Sequence, residues 1–327
     1  MKKWLAISLK GIISGGLIWY LFSGIDLDLV GFHLAGVDLG LVALSLVIFL
    51  VQIVIGGMRW ASVLTGLGAQ MRQGLFIRLF YVGAFFNQAL PGGNGGDAVR
   101  MYLSYKLGLS LRNAVNGVII ERIVTVLALV VLVDITQLLF VKELSHDMRR
   151  ISIIGAISVT VLLMIGLGTL MQLDRLSERL KKWRLFRGLG NLVADVRLVF
   201  LSKTRLWRPV GWGLLGHLNI SLAVFVLAIG LGLQVTLFNC VLLIPPVLLV
   251  LTLPISIGGW GVREGAMIWA FALVGVTYEK ALVLSVLFGL AGLFIALPGG
   301  LIWLTTRDTK DKGAFSNDLF NVLNKSG

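Results

Sequence analysis

Apolar runs separated by short polar joins fill most of the chain, at roughly 5 to 23, 39 to 58, 74 to 90, 114 to 140, 151 to 172, 210 to 232, 238 to 257, 262 to 276 and 281 to 303. A helix needs about 20 apolar residues to cross ~30 Å of hydrocarbon. The pattern therefore predicts an all-α polytopic membrane protein. Two interruptions stand out. Leu90-Pro91-Gly92-Gly93-Asn94-Gly95-Gly96-Asp97-Ala98-Val99-Arg100 is a glycine-rich, charged turn where a membrane helix would otherwise continue. Leu253-Pro254-Ile255-Ser256-Ile257-Gly258-Gly259-Trp260-Gly261-Val262-Arg263-Glu264 repeats its grammar: a Leu-Pro step, paired glycines, then an arginine and a carboxylate at the start of a new helical run.

Loop charge predicts direction, because cationic loops are retained in the cytoplasm. The stretch from Asp26 to Asp38 holds three aspartates and no Lys or Arg, whereas residues 173–209 hold ten Lys/Arg against three acids. The first is expected outside and the second inside. Walking the chain from a cytoplasmic N-terminus, residues 74–105 enter and leave on the cytoplasmic face, and residues 238–276 enter and leave on the outer face. The expected architecture is six full crossings plus two oppositely oriented re-entrant helical hairpins, the arrangement of an inverted repeat with a site at its midplane. Lys142, Arg149, Arg150 and Lys280 run against the charge rule in this scheme, the first three together in residues 141–150.

The same walk gives one transmembrane domain over residues 1–307, in halves 1–172 and 210–307 joined by the basic loop, and a cytoplasmic tail over 308–327. Met1-Lys2-Lys3 and the apolar run behind it imitate a signal peptide, but Lys10 interrupts the run, so an uncleaved first helix is expected. Leu176, Leu180, Trp183, Phe186 and Leu189 fall at helical spacing within the basic loop. They suit an amphipathic helix on the anionic inner leaflet, with a solvated spacer as the alternative.

Composition narrows the function classes. The chain is 57% hydrophobic and 14% charged, with a mean hydropathy of +0.93. Its net charge of +13 resides mainly in the loops, which argues for membrane topology rather than nucleic-acid binding. The single Cys240 allows neither an internal disulfide nor a cysteine metal site. His33, His146 and His217 are too scattered for metal ligation. Gly95-Gly96-Asp97 lacks the Gly-Lys-Ser/Thr of a P-loop, and neither a Gly-x-Ser-x-Gly elbow nor a His-Glu-x-x-His helix occurs. No enzyme chemistry, cofactor or metal is expected.

Charges inside membrane segments cost about 2.5–3.5 kcal/mol each even on lenient scales, so they should face partners or a watery cavity. The acids are Asp97, Glu121, Asp134 and Glu264; the bases are Lys10, Arg78, Arg100, Arg122 and Arg263. Lys10, Arg59 and Arg78 can be explained as side chains snorkelling to headgroups. In the first turn, Gly95 and Gly96 let backbone amides converge and Asp97 caps a helix running from Ala98, which would suit a phosphate with Arg100 one turn on. Adjacent residues on a helix point about 100° apart, so Arg263 and Glu264 are each expected to meet another segment, as are Glu121 and Arg122. Asp97 with Arg122 is one such crossed pair. Pro245-Pro246, Pro254 and Pro298-Gly299-Gly300 predict kinks. His217 is either a hydrogen-bonded interior residue or a proton-relay member.

At these residues the chain resembles the lysylphosphatidylglycerol synthase transmembrane (flippase) domain family. The motifs that carry the likeness are Arg59-Trp60, Asn87 with Pro91-Gly92, Gly95-Gly96-Asp97 with Arg100, Glu121-Arg122, and Pro254-x-Ser256-x-Gly258-Gly259-x-Gly261-x-Arg263-Glu264. In bifunctional members this domain is thought to move aminoacylated phosphatidylglycerol between leaflets after a cytosolic domain synthesises it. The longest polar segment here, residues 173–209, is too short for that synthase. The resemblance thus implies a stand-alone lipid flippase or transporter of the inner membrane, with both termini cytoplasmic, acting on an anionic or aminoacylated phospholipid or a polyprenyl-phosphate lipid. Its substrate-binding residues would be Asn87, Gly95, Gly96, Asp97, Arg100, Glu121, Arg122, Ser256, Gly258, Gly259, Arg263 and Glu264. A secondary transporter of a small anion and a non-transporting partner of a lipid-modifying or glycosyl transferase are the alternatives; a homo-oligomer is compatible with each.

Overall fold

The computed structural model describes residues 36–90, 95–140, 146–172, 184–253, 256 and 258–307. The expected first helix, His33, Pro91 and Gly92, Pro254, the start of the basic loop and the tail lie outside them. Among the described residues there are ten α-helices and no strand.

The frame is an antiparallel pair, α1 (Leu39–Gly66) and α7 (Lys203–Gly230). Asp38 starts α1: its Oδ1 accepts from the Gly40 and Leu41 amides at 2.8 and 3.1 Å, satisfying donors that a helix start leaves open. Its own amide donates to Gly230 O at 2.9 Å, which fixes the start of α1 beside the end of α7. Ser45 Oγ donates to Ala223 O at 2.8 Å and Asn219 Nδ2 to Ile48 O at 3.0 Å along the seam. The pair defines two ends of the molecule, the Gly66 end and the Gly230 end.

Two helical hairpins pack on this frame. In the first, α2 (Gln73–Ala89) runs away from the Gly66 end and α3 (Gly95–Lys106) returns. Ala69 before it, Leu109 after it and Leu64 of α1 share one apolar cluster, so both arms end at the Gly66 end. Then α4 (Leu111–Phe140) runs the length of the molecule to α5 (His146–Gln172) and α6 (Arg184–Phe200). In the second hairpin, α8 (Leu237–Leu251) runs inward and α9 (Val262–Ala272) returns. Leu233, Val235, Val274 and Val276 pack in one cluster, so both arms end at the Gly230 end. Finally α10 (Tyr278–Arg307) passes both hairpins.

Among the described residues four helices are long and apolar enough to cross a membrane: α1, residues 153–172 of α5, α7, and residues 278–304 of α10. On α5 the exposed side chains include Ile154, Ile157, Leu162, Met164 and Ile165, a row that faces lipid rather than water. The chain is a multi-pass membrane protein.

The structure departs from the sequence expectation at several elements. Helix α1 continues two turns past residue 58 and α7 begins before residue 210, because Trp60, Val63, Leu64 and Val210 are buried in interhelical clusters. No break occurs at Pro245-Pro246 or Pro298; α8 and α10 run through them. Gly299 serves close packing: a Cβ there would stand 2.3 Å from Tyr81 O. Helix α6 has an apolar stripe of Leu192, Val193, Val196 and Val199 that is buried against Val63, Ile120, Val124 and Val210, while Leu176, Leu180 and Trp183 of the expected amphipathic helix lie outside the described residues. That face is covered by protein and not by the leaflet. Asp195 on α6 accepts from Arg112 at 2.6 and 2.9 Å and from Asn116 at 2.6 Å, tying α6 to α4.

Candidate functional site

The first hairpin closes because two glycines let its arms touch. A Cβ on Gly96 would stand 1.7 Å from Gly83 O, a distance no side chain tolerates. The Gly96 amide donates to Asn87 Oδ1 at 2.8 Å, pinning the start of α3 to the end of α2. Helix α3 starts at Gly95, so Asp97 belongs to its first turn and does not cap a helix from Ala98. Its carboxylate turns sideways to arginines.

Five charges then alternate through the interior. Arg59 on α1 donates to Glu121 Oε1 on α4, with Nε at 2.8 Å and Nη2 at 2.6 Å. Glu121 Oε2 accepts from Arg100 Nη2 on α3 at 2.7 Å. Arg100 donates to Asp97 Oδ1 at 3.0 and 3.2 Å, and Arg122 donates to both Asp97 oxygens at 2.8 Å. The order is Arg59, Glu121, Arg100, Asp97, Arg122. Each carboxylate is held between two guanidiniums, the condition under which buried charges are tolerated. Glu121 is fully buried and the Arg100 side chain is 2% exposed, whereas the Arg122 side chain is 45% exposed. The chain of charges therefore begins in the core and surfaces at Arg122.

Three arginines against two acids leave this cluster with one excess positive charge. Arg100 lies between aromatic faces, its Cζ 5.1 Å from the Trp60 ring centroid and 5.3 Å from that of Phe80. Its Nη1 and the Trp60 Nε1 are buried donors without a hydrogen-bond partner among the described residues. Such orphans are rare and call for an acceptor. Thr125 extends the cluster toward α7: its hydroxyl donates to Glu121 O at 2.7 Å and its own carbonyl lies 3.1 Å from His217 Nε2. His217 is a hydrogen-bonded interior residue, with Nδ1 unpartnered among the described residues.

The second hairpin carries a smaller pair. Gly258, Gly259 and Gly261 have φ of 62°, 81° and 84°, left-handed values that a side chain would strain. They turn the chain sharply into α9. Glu264 reaches back to the Gly261 amide at 2.5 Å, and its Oε1 accepts from Arg263 Nη2 at 2.6 Å. The neighbours thus pair with each other, contrary to the expectation from their 100° separation. The reason is that Glu264 curls back to cap the helix and the long Arg263 side chain folds over the Trp260 ring, 4.4 Å from its centroid. Ser285 Oγ on α10 lies 3.5 Å from Glu264 Oε1, and Ser256 is buried in the same turn.

Helix α10 brings the two hairpins to one place. A Cβ on Gly289 would stand 2.1 Å from Arg263 Nη2, and one on Gly292 would stand 3.8 Å from Gln88 Nε2. These glycines are one turn apart. Among the described residues no ion pair links the clusters; each neutralises its charges largely within itself.

Sequence reasoning missed Arg59. It is 6% exposed and paired with Glu121, not snorkelling, and the signal for it was the buried Trp60 beside it. Arg78 is exposed, as a snorkelling residue would be. Asp134 accepts from Thr160 Oγ1 at 2.8 Å and, with Trp269, lines a largely apolar cleft of about 320 Å³ between α4, α5 and the second hairpin. The buried Cys240 belongs to the main apolar cluster.

Fold and site together define a multi-pass helical membrane protein with two clusters of paired, buried charge, one where the first hairpin meets α1 and α4 and one in the turn of the second hairpin. Residues 7–299 match the model of the lysylphosphatidylglycerol synthase TM region, and the chain belongs to that family. Neither a curated protein nor a solved structure matches it.

Proposed function

We propose that this chain is a lipid flippase or lipid transporter of the cytoplasmic (inner) membrane. It moves an anionic or aminoacylated phospholipid, or a polyprenyl-phosphate-linked lipid, between leaflets, without catalytic chemistry of its own. The reading rests on family membership and on one observation above all: a buried cluster with an excess positive charge and two orphan donors, Arg100 Nη1 and Trp60 Nε1.

In this reading the charges neutralise one another in the empty state. An incoming phosphate meets Arg122 at the exposed end of the cluster, then takes over donors that Asp97 and Glu121 otherwise hold. Fixed charges and aromatic faces replace the water that the headgroup loses, and the acyl chains stay in hydrocarbon. The second hairpin presents Arg263 one turn of α10 away, and the carboxylates offer partners for an aminoacyl amine. Hairpins open to opposite faces would expose this region alternately.

The test is a leaflet-resolved assay in proteoliposomes with labelled lipids of several headgroups, comparing the native protein with Asp97→Asn. The proposal expects headgroup-dependent movement that the variant loses. Exchange of a small anion without lipid movement would favour the solute-transporter alternative.

A further inference from the structure

Apart from the buried cluster, the Gly66 end carries a second basic feature. A crevice of about 400 Å³ opens between α1, the start of α2 and the first turns of α7. Helix α1 presents Ser62 and Thr65 to it, α2 presents Gln73, and α7 presents Arg205, Arg208 and Trp212. Arg205 and Arg208 stand three residues apart and so share a helix face. Both are exposed, and neither is paired with a carboxylate among the described residues.

The donors in this crevice can be named. Ser62 Oγ donates to Arg59 O at 2.6 Å and Thr65 Oγ1 to Ala61 O at 2.8 Å, so both hydroxyl hydrogens are already engaged in α1. What remains is two guanidiniums and the Gln73 amide against a wall that includes Met58 and Trp212. Ser202 gives the N-terminus of α7 no side-chain cap, so the positive end of that helix adds to the same field. Cations in a fork geometry beside an apolar wall suit a phosphate attached to an apolar body.

We infer that this crevice is a dock for a phosphate group, on a lipid headgroup or free in solution, held by Arg205 and Arg208. As the loading position for a substrate headgroup it rests on the flippase reading, but phosphate binding there does not. Arg59, next to Met58 on α1, turns the other way to Glu121, so the dock and the buried cluster sit on different faces of one helix.

The test is equilibrium binding to the full-length protein in maltoside detergent. The probe is radiolabelled short-chain phosphatidic acid, with diacylglycerol of the same chain length as the phosphate-free control. The inference expects a saturable component that Arg205→Gln/Arg208→Gln weakens about tenfold or more, that Arg78→Gln retains, and that diacylglycerol lacks. Both substituted arginines are exposed, and an unchanged thermal midpoint checks that the variant folds. Competition by inorganic phosphate at similar concentration identifies the free group as the ligand; its failure to compete identifies the lipid. Undiminished binding by the double variant overturns the inference, as does an equal loss in Arg78→Gln, which would mean diffuse surface charge. Native binding without lipid movement leaves the dock standing and removes the flippase reading; lipid movement with undiminished double-variant binding does the reverse.

Discussion

Arg100 Nη2 stands 2.7 Å from Glu121 Oε2, joining the returning arm of the first hairpin to the full-length helix α4. Glu121 also holds Arg59 of α1, so one fully buried carboxylate ties three helices together.

Glu121→Gln should therefore be among the most damaging substitutions in the chain. It leaves two buried guanidiniums short of charge, and breaking a buried pair from one side costs about 3–5 kcal/mol. A lower thermal midpoint in detergent is expected. Adding Arg59→Gln should recover part of the loss, because it removes one of the uncompensated charges; a double-mutant cycle measures the coupling.

Glycine substitutions should separate packing from flexibility. Gly96→Ala drives a methyl group to within 1.7 Å of Gly83 O, a backbone atom that cannot swing aside. The cost should reach at least the upper end of the ~1–3 kcal/mol typical of overpacking. Gly155→Ala on α5 meets nothing within 4 Å among the described residues and should be neutral or stabilising by ~0.5–1 kcal/mol. Thermal unfolding of the two variants side by side checks both.

Gly289→Ala acts on a flexible side chain instead of backbone. The methyl would stand 2.1 Å from Arg263 Nη2, so the guanidinium must move off its place beside Glu264. Stability should fall by less than for Gly96→Ala, while lipid movement in proteoliposomes drops. Unchanged movement with a displaced Arg263 would remove that arginine from the transport path.

Much of this was legible in the chain. Periodicity and length anticipated the long apolar helices among the described residues, though not where α1 ends or α7 begins, and the two broken, charged turns marked where the chain folds back between α2 and α3 and between α8 and α9; the Asp97 to Arg122 pair was also anticipated. What escaped was set by packing. Arg59 reads as a headgroup-facing residue until α1 is seen to continue to Gly66, which carries it into the core. Arg263 and Glu264 read as diverging until the left-handed glycines set them at a helix start, where Glu264 bends back. Pro298-Gly299-Gly300 reads as a hinge, but the glycines admit α2 and the helix stays whole.

The account rests on hairpins that open to opposite faces of the membrane. The direct measurement is labelling of single cysteines by a membrane-impermeant maleimide, in sealed vesicles of known orientation, in a Cys240→Ser background. Gln70 and Lys106 flank the first hairpin, Gln234 and Thr277 the second, and all four are exposed. The account predicts that Gln70→Cys and Lys106→Cys label from one side and Gln234→Cys and Thr277→Cys from the other. Labelling of all four from the same side would contradict it.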